Sequence, residues 1–405
     1  MAKRSEPVIS CPSNTADRAS VLVDAFLQQM AVAGLPGATA RTVAARAGVS
    51  ASSINYHFDS IERLYGIAQA DAAARAVRWL QDRIDDCAPA VPLPAAAFSA
   101  FAADVIDRWT HERVLAQAEA AAFLQAAWGP ADASAAWLSV WEDFWARALP
   151  CFSLPVDAVR LVSAVLHSER LGHLVRWRAP FDRAGLEEVC VRLTARLTRA
   201  PALLALDSPW RDAAEALSRR TVEFPTLAPA AARIAEGVVA AVDEGGEAAL
   251  THRAVAFRAG VSLGAVTHHF PTRTALAEAG YASLYESLVQ SARKAGAGQA
   301  RHGDIGAHIV SFLNIGRTAP HSRALESFFL SATRDPALAD FAARVRYSRG
   351  LSTWSFLRHQ APRLTRLDGL IISHWIAGTG RAITAVPERA RDLEAGARQV
   401  ANLFE

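Results

Sequence analysis

The chain contains few cysteines, and they lack the spacing of a metal site. The four cysteines among its 405 residues are Cys11, Cys87, Cys151 and Cys190. None belongs to a CxxC pair or to a Cys/His ligand pattern, which argues against structural zinc. The N-terminal residues also lack the apolar stretch of a signal peptide. We therefore expect a reduced, cytoplasmic protein with no metal and no cofactor.

The chain also has little excess charge and no long apolar run. It carries 43 Lys and Arg against 40 Asp and Glu, a formal net charge of +3. Bulk charge of this size does not by itself indicate a nucleic-acid partner, so any DNA-binding surface must be local. No uninterrupted apolar run reaches the roughly 18 residues of a membrane-spanning helix, so we expect no membrane association.

The motifs of common catalytic sites are missing as well. The sequence holds no P-loop, no HExxH, and no GxSxG or GxGxxG that follows a strand. These patterns supply the nucleophile, the metal ligands or the phosphate-binding loop of many enzymes. Without them, we expect a protein that is not an enzyme.

Strong helix formers dominate what is present. Alanine is abundant, leucine and arginine are frequent, and alternating Val/Ile/Thr tracts bounded by turn pairs do not occur. The hydrophobic fraction of 51% and the charged fraction of 20% are typical of a globular protein with large cores. The composition predicts an all-α fold with two to four domains.

One helix-turn-helix signature occurs twice. It reads TARTVAARAGVSASSINYHF from Thr39 to Phe58 and THRAVAFRAGVSLGAVTHHF from Thr251 to Phe270, with eleven of twenty positions identical. The two copies lie 212 residues apart, and apolar residues of the preceding helix repeat at that same offset: Leu22, Phe26 and Met30 against Ile234, Val238 and Val242. The pattern indicates an internal duplication of about half the chain.

The duplication predicts a domain order. We expect a first helix-turn-helix head at residues 1–65, a first helical body at 66–200, a linker at 201–226, a second head at 227–277 and a second body at 278–405. Within the bodies, single helices are predicted over residues 156–178 and 337–360, among others. Residues 1–14 are interpreted as a loose arm, in which Lys3 and Arg4 either contact phosphate or stay solvated.

Local chemistry explains the motif. Gly48 and Gly260 allow the tight turn, and Ser50 and Ser262 are placed to cap the recognition helices. Thr39 is placed to cap the first helix of its motif, and phosphate contact at that helix start is an equally open role.

The first motif offers hydrogen-bonding groups for DNA. Ser and Asn suit base edges, whereas Tyr and His suit phosphates. The candidate DNA-binding residues are Thr39, Arg41, Ala51, Ser52, Ser53, Asn55, Tyr56 and His57. For His57, packing or capping is as well supported as a phosphate contact, and Phe58 is expected in the core.

The second motif offers fewer polar groups. Leu263, Ala265 and the Thr267 methyl suit thymine methyl groups instead. The candidate DNA-binding residues here are Thr251, Arg253, Leu263, Gly264, Ala265, Thr267, His268, His269 and Arg273. For His269 the packing alternative is again open, and Phe270 is expected in the core.

Aromatic residues are dense in both bodies and suit an apolar effector pocket. The candidate lining residues are Trp109, Phe123, Trp128, Trp141, Trp145, Phe312, Phe328, Trp354 and Trp375. The helical spacing of Trp137, Trp141 and Trp145 equally fits a core stripe.

The stretches VAARAGVSASSINYHF and VAFRAGVSLGAVTHHF resemble the DNA-binding head of the tetracycline-repressor (TetR) family. The resemblance implies an all-helical regulator whose body binds a small molecule, whose last two helices form a four-helix dimer interface, and which leaves its operator when the ligand binds. Here the last helices of the two bodies, at about 156–199 and 364–403, are expected to pair within one chain. The result would be a monomer shaped like a family dimer.

Each copy departs from the family pattern differently. Asn55 and Thr267 replace an aromatic of the recognition helix, and Ile61 replaces the basic residue that Arg273 retains in the second copy. We therefore expect two non-identical half-sites on double-stranded operator DNA. The alternative is a ligand-binding or protein-interaction module in which one or both heads have lost specific DNA binding.

Overall fold

The computed structural model consists of α-helices and short 3₁₀ turns. It describes residues 15–87, 91–222, 224, 226–297, 305–318, 322–358 and 361–404, and no strand occurs among them. The all-α prediction is confirmed. The arm residues Lys3 and Arg4 lie outside the described residues.

The first half folds into two groups of helices, the head and the body. Its helices are α1 (Thr15–Gly37), α2 (Ala40–Ala47), α3 (Ser52–Phe58), α4 (Ile61–Cys87), α5 (Phe98–His111), α6 (Arg113–Gln125), α7 (Asp132–Cys151), α8 (Val159–His173) and α9 (Ala179–Thr198).

The second half follows two connecting helices. The connectors are α10 (Pro201–Leu204) and α11 (Pro209–Thr221), and the remaining helices are α12 (Pro229–Gly245), α13 (His252–Ala259), α14 (Leu263–His269), α15 (Arg273–Ala297), α16 (Ile305–Thr318), α17 (Ser322–Ala332), α18 (Ala339–Ser348), α19 (Leu351–Leu357), α20 (Arg366–Ala385) and α21 (Leu393–Asn402).

Equivalent helices pack in equivalent ways. In the first head α1 lies against α2, α4 and α6, and in the second α12 lies against α13, α15 and α17. In the bodies, α5 packs on α9 and α4 on α7, just as α16 packs on α21 and α15 on α19. The packing order of the first half therefore recurs in the second.

The first helix shows how the sequence builds a head. Leu22, Phe26 and Met30 recur every four residues, so they share one face and are buried together. Gly34 then leaves the helical conformation with a φ of 72°. The span Asp17–Gly37 has the length and mean hydropathy of a membrane-crossing helix, but 44% of it is buried inside the fold.

Two predicted helices are wrong in their extent. The helix expected over 337–360 is broken between α18 and α19, because Gly350 has a φ of 85° and an added Cβ would lie 2.5 Å from the Leu370 Cα. The close pass of α20 overrides the helix propensity there. The helix expected over 156–178 starts as a 3₁₀ turn and ends at His173. Pro180 starts a new helix, and Arg178 before it is extended.

The main contact between the halves joins α8 to α20. Gly378 of α20 touches the α8 backbone so closely that a Cβ would collide with the Ala164 carbonyl. The Ser168 hydroxyl donates to the His374 carbonyl at 2.9 Å. α9 also meets α20, whereas α21 packs mainly on α16.

The segment between the halves is folded onto the bodies. α11 packs on α9 and α18. The Glu188 carboxylate accepts hydrogen bonds from the backbone N–H groups of Trp210 and Arg211, at 2.8 and 2.9 Å. These bonds satisfy donors at the start of α11 that have no partner within the helix.

Candidate nucleic-acid interface

The first helix of each helix-turn-helix begins at a threonine cap. The Thr39 hydroxyl accepts from the Thr42 N–H at 3.3 Å, and the Thr42 hydroxyl accepts from the Thr39 N–H at 3.0 Å. In the second head the Thr251 hydroxyl accepts from the Ala254 N–H at 3.2 Å. Both threonines are exposed. The predicted capping role of Thr39 is confirmed.

Each turn depends on one glycine. Gly48 and Gly260 have φ values of 68° and 63°, and their N–H groups close the preceding helices. An added Cβ would meet no atom within 4 Å at either position. The turn therefore needs glycine for its backbone conformation and not for space.

The first recognition helix, α3, divides into a buried and an exposed face. Ile54 and Phe58 are buried four residues apart, as predicted for Phe58. The opposite face holds the candidate reading residues: Ala51, Ser52, Asn55 and Tyr56 are exposed, and Ser53 and His57 are half-buried. Tyr56 is 79% exposed, the largest value among the exposed large hydrophobic side chains described.

The two recognition helices begin differently. Ser262 caps α14 by accepting from the Ala265 N–H at 3.1 Å. The predicted cap at Ser50 is wrong, because its hydroxyl lies 2.8 Å from the Ser52 hydroxyl and 3.2 Å from that of Ser53. Neighbouring hydroxyls thus engage Ser50 and leave the start of α3 without a side-chain cap.

The second recognition helix, α14, exposes a more apolar surface. Leu263 is 51% exposed, while Val266 is buried. The Thr267 hydroxyl donates to the Leu263 carbonyl at 3.1 Å, so its proton is used within the helix. Gly264, Thr267, His268 and His269 are exposed, Ala265 is half-buried, and the half-buried Phe270 packs against the core of the second head.

Two further residues of the second head have features that were not predicted from the sequence. The His252 Nε2 lies 2.7 Å from the Phe270 carbonyl and anchors the end of α14. Phe257 is 77% exposed on α13, with the Arg258 guanidinium 5.4 Å from its ring centroid. Phe257 replaces Ala45 of the first copy, and this change from small to aromatic was the available signal.

The arginines of the two heads differ in their partners. Arg41 and Arg253, which are equivalent across the repeat, are exposed and form no ion pair with the described residues. Arg273 donates to the Glu247 carboxylate and carbonyl, both at 3.3 Å. Arg63 pairs with Asp59 at 2.6 Å. Arg41 and Arg253 are therefore the better-placed cations for phosphate.

Several aromatic residues proposed for an effector pocket form packed core. Trp109, Trp141 and Trp145 are buried, and the Trp109 and Trp141 rings lie 5.2 Å apart between centroids. The Arg170 guanidinium lies 3.6 Å from the Trp141 ring centroid. Phe328 is buried against Tyr281. These residues fit the core-stripe alternative.

Other candidates line open space. Phe123 and Trp375 line a cleft of about 830 Å³ between α7 and α8 on one side and α20 and α21 on the other, here named the interbody cleft. Trp128 lines a second cleft of about 350 Å³. Trp354 is half-buried and donates to the Leu364 carbonyl at 3.0 Å, and the Phe312 side chain lies outside the described residues.

A buried ion cluster joins the halves and was not predicted. The Glu169 carboxylate of α8 accepts from the Arg346 guanidinium at 3.0 Å and contacts the His374 Nε2 at 2.8 Å. Arg346 also reaches Asp182 of α9 at 3.1 Å. Burial opposes ionisation of Glu169, but His374, Arg211 and Arg346 together hold the pKa of that carboxyl well below its usual range.

Comparison with known proteins places the first head. Residues 22–66, which run from α1 into α4, match the family model for bacterial regulatory proteins of the tetR family. The N-terminal head is therefore similar to the heads of tetR-family regulators. The match supports a DNA-binding helix-turn-helix transcription regulator, a class that is typically non-enzymatic. No curated protein matches the chain.

Proposed function

We propose that the protein is a ligand-responsive repressor that reads two non-identical DNA half-sites with α3 and α14. The observation that carries this proposal is the second helix-turn-helix, α13–α14. It has a threonine cap, a positive-φ glycine turn and a serine cap at the positions equivalent to Thr39, Gly48 and Ser50. The family match ends at residue 66, so this geometry is what supports a DNA-binding role for the second head.

The exposed faces of the recognition helices α3 and α14 suit different DNA sequences. Ser52 and Asn55 present hydrogen-bonding groups suited to base edges, whereas Leu263 presents an apolar surface suited to thymine methyls. An operator that satisfies both heads is therefore asymmetric. Footprinting should protect two halves of different sequence, and equal protection of a perfect palindrome would contradict this part of the proposal.

The interface between the halves supports a single-chain regulator. The α8–α20 contact joins the two bodies. The family resemblance implies a dimer interface formed by the last helices of each body, so we propose that this contact serves as an internal dimer face. Two heads on one chain can then engage successive major grooves about 34 Å apart, one turn of duplex.

The test uses operator DNA selected from genomic fragments and measured by gel shift. Arg41→Ala and Arg253→Ala each remove an exposed cation that has no ion-pair partner among the described residues. Each should therefore weaken binding about five- to tenfold and lower the salt dependence by about one phosphate contact. Arg391→Ala is the matched control, because Arg391 is exposed on the second body and far from either motif in sequence. Asn55→Ala should weaken binding and relax specificity at one base pair.

The outcomes separate the proposal from its rival. If the first-head variants weaken binding and Arg253→Ala does not, the second head has lost DNA contact. The pairing of Arg273 with Glu247 is the observation that favours this second possibility. If none of the three variants changes affinity, the assigned reading surface is wrong.

A further inference from the structure

A cleft of about 350 Å³ lies between the two heads. The end of α1 forms one wall, and the turn that follows α12, residues 244–248, forms the opposite wall. The α6–α7 connection and the end of α17 complete it. We name it the interhead cleft and define it by Met30, Leu35, Leu124, Trp128, Ala248 and Leu330.

The charged groups of this cleft are already paired. The Glu247 carboxylate binds Arg334 and Arg273, and the Glu244 carboxylate binds Arg258. A charged ligand would therefore find no unpaired counter-ion among the described lining residues. Most of the remaining lining is apolar, and the Trp128 ring provides an aromatic surface. The volume lies within the range of about 300–1,000 Å³ that is typical of small-molecule sites.

The cleft touches both heads at equivalent positions. Gly34 of α1 and Gly246 after α12 are related by the repeat. A Cβ added at Gly34 would lie 2.9 Å from the Glu247 carboxylate and 3.0 Å from the Arg334 guanidinium, and one added at Gly246 would lie 3.5 Å from the Trp128 ring. The Trp128 indole N–H donates to the Asp243 carbonyl of the second head at 3.1 Å.

Hydrogen bonds between side chains of the two bodies also lie beside the interhead cleft. The Gln117 side chain of α6 donates to the Thr333 hydroxyl at 2.6 Å and accepts from Arg334 at 3.2 Å. A molecule in the cleft would contact the first head, the second head and α6 together. Such a molecule shifts the head-to-head arrangement to the extent that it binds one arrangement better than another.

We propose that the interhead cleft binds a neutral aromatic molecule and that its occupancy changes the affinity for DNA. The regulatory half of this inference, that occupancy changes the affinity for DNA, rests on the proposed function. The binding half, that the cleft takes up a neutral aromatic molecule, does not. The interbody cleft is the alternative place for such a molecule. It is larger, but Asp143 and Asp157 in its lining form no ion pair with the described residues, so it suits a neutral ligand less well.

Binding is tested with N-phenyl-1-naphthylamine, a neutral fluorophore that brightens in apolar sites. The full chain should bind it saturably, with one site per chain. Gln125→Trp and Ala248→Trp each place an indole in the interhead cleft and should weaken binding at least tenfold. Ala248 is exposed, so its replacement leaves the packed core intact. Ala146→Trp, which fills the interbody cleft, is the matched control and should bind as the natural chain does.

Two results would overturn the site assignment. One is the absence of saturable binding to the natural chain. The other is weaker binding in Ala146→Trp together with unchanged binding in the two interhead variants, which would place the ligand in the interbody cleft.

The regulatory half is measured by gel shift with saturating fluorophore. Operator affinity should change at least fivefold for the natural chain and for Ala146→Trp, and not for Gln125→Trp or Ala248→Trp. If the fluorophore binds in the interhead cleft while operator affinity stays constant, the regulatory half is wrong and the DNA-binding function stands. If no DNA binding is found at all, the proposed function fails while the ligand-binding result stands.

Discussion

At the residue scale, burial disfavours the protonated form of three histidines, His167, His173 and His374. Burial lowers the pKa of His374 to about 4, although Glu169 opposes the shift. Burial likewise lowers the pKa of His167 to about 4, against the effect of Glu119. The imidazoles of His167 and His374 are therefore neutral in the folded protein near pH 7. His167 lies on α8 and His374 on α20, the two helices that form the main contact between the halves.

These histidines predict a loss of stability in mild acid. In the unfolded chain each has an ordinary pKa near 6.5, so that chain takes up protons first as the pH falls. The stabilising contribution is complete above about pH 6.5 and is lost progressively toward pH 4. Urea unfolding between pH 7.5 and 4.5 should show this decline, and His374→Gln and His167→Gln should each flatten it.

The control for this prediction is His268→Gln, which replaces an exposed histidine of α14. It should leave the pH dependence of unfolding unchanged. A decline of equal slope in the natural chain and in both buried variants would show that other groups cause it.

At the element scale, a serine at the start of a helix stabilises that helix only when its hydroxyl accepts a hydrogen bond from a backbone N–H group of the helix. Ser262 and Ser50 occupy equivalent positions, but only Ser262 accepts from a backbone N–H of its recognition helix. The motif therefore predicts both helices correctly and the capping of only one. The hydroxyls of Ser52 and Ser53, which the second copy lacks, are the local difference.

This difference predicts that replacing serine by alanine has a larger effect at Ser262 than at Ser50. Ser262→Ala should destabilise the second head by about 1 kcal/mol, a usual value for loss of a helix cap. Ser50→Ala removes no bond to the backbone, so it should cost clearly less. Hydrogen exchange of the amides in α14 and α3 measures the two effects separately. Equal loss of protection in the two helices would contradict the assignment.

The helix breaks show which helix ends can be predicted from the sequence and which cannot. The ends of α2 and α13 were predictable, because Gly48 and Gly260 act through their own backbone conformation. The break at Gly350 was not, because its cause is the backbone of α20, about 20 residues further along the chain.

At the scale of the whole molecule, the halves are held together by close backbone contact and buried charge. The α8–α20 contact at Gly378 leaves no room for a side chain, and the Glu169 cluster spans the same region. Around the interbody cleft, two exposed or half-buried ion pairs also cross between halves: Arg160 with Asp392 and Arg389 with Glu142.

Two glycines of α20 provide a matched test of this interface. Gly378→Ala forces a Cβ into the Ala164 carbonyl, and the resulting overpacking should destabilise the protein by about 1–3 kcal/mol. Gly380→Ala meets no atom within 4 Å and should be neutral or stabilising by up to about 1 kcal/mol. Urea unfolding measures both changes, and equal effects would mean that α8 and α20 are not in this contact in solution.

A single-chain arrangement of two heads also predicts the particle mass. If the α8–α20 contact serves as an internal dimer face, light scattering should find a monomer of 43.4 kDa. A stable two-chain particle would carry four heads and would require a second, different interface.

The sequence by itself determined the helical class, the two helix-turn-helix motifs, the Thr39 cap and the glycine turns. Each of these follows from interactions among residues only a few positions apart. The tertiary structure decided which aromatic residues are core, which arginines are paired, and where the clefts lie. The partners in those cases are far apart in the chain, as Glu169 and Arg346 are, separated by 177 residues. Their meeting depends on how whole helices pack, which no local pattern specifies.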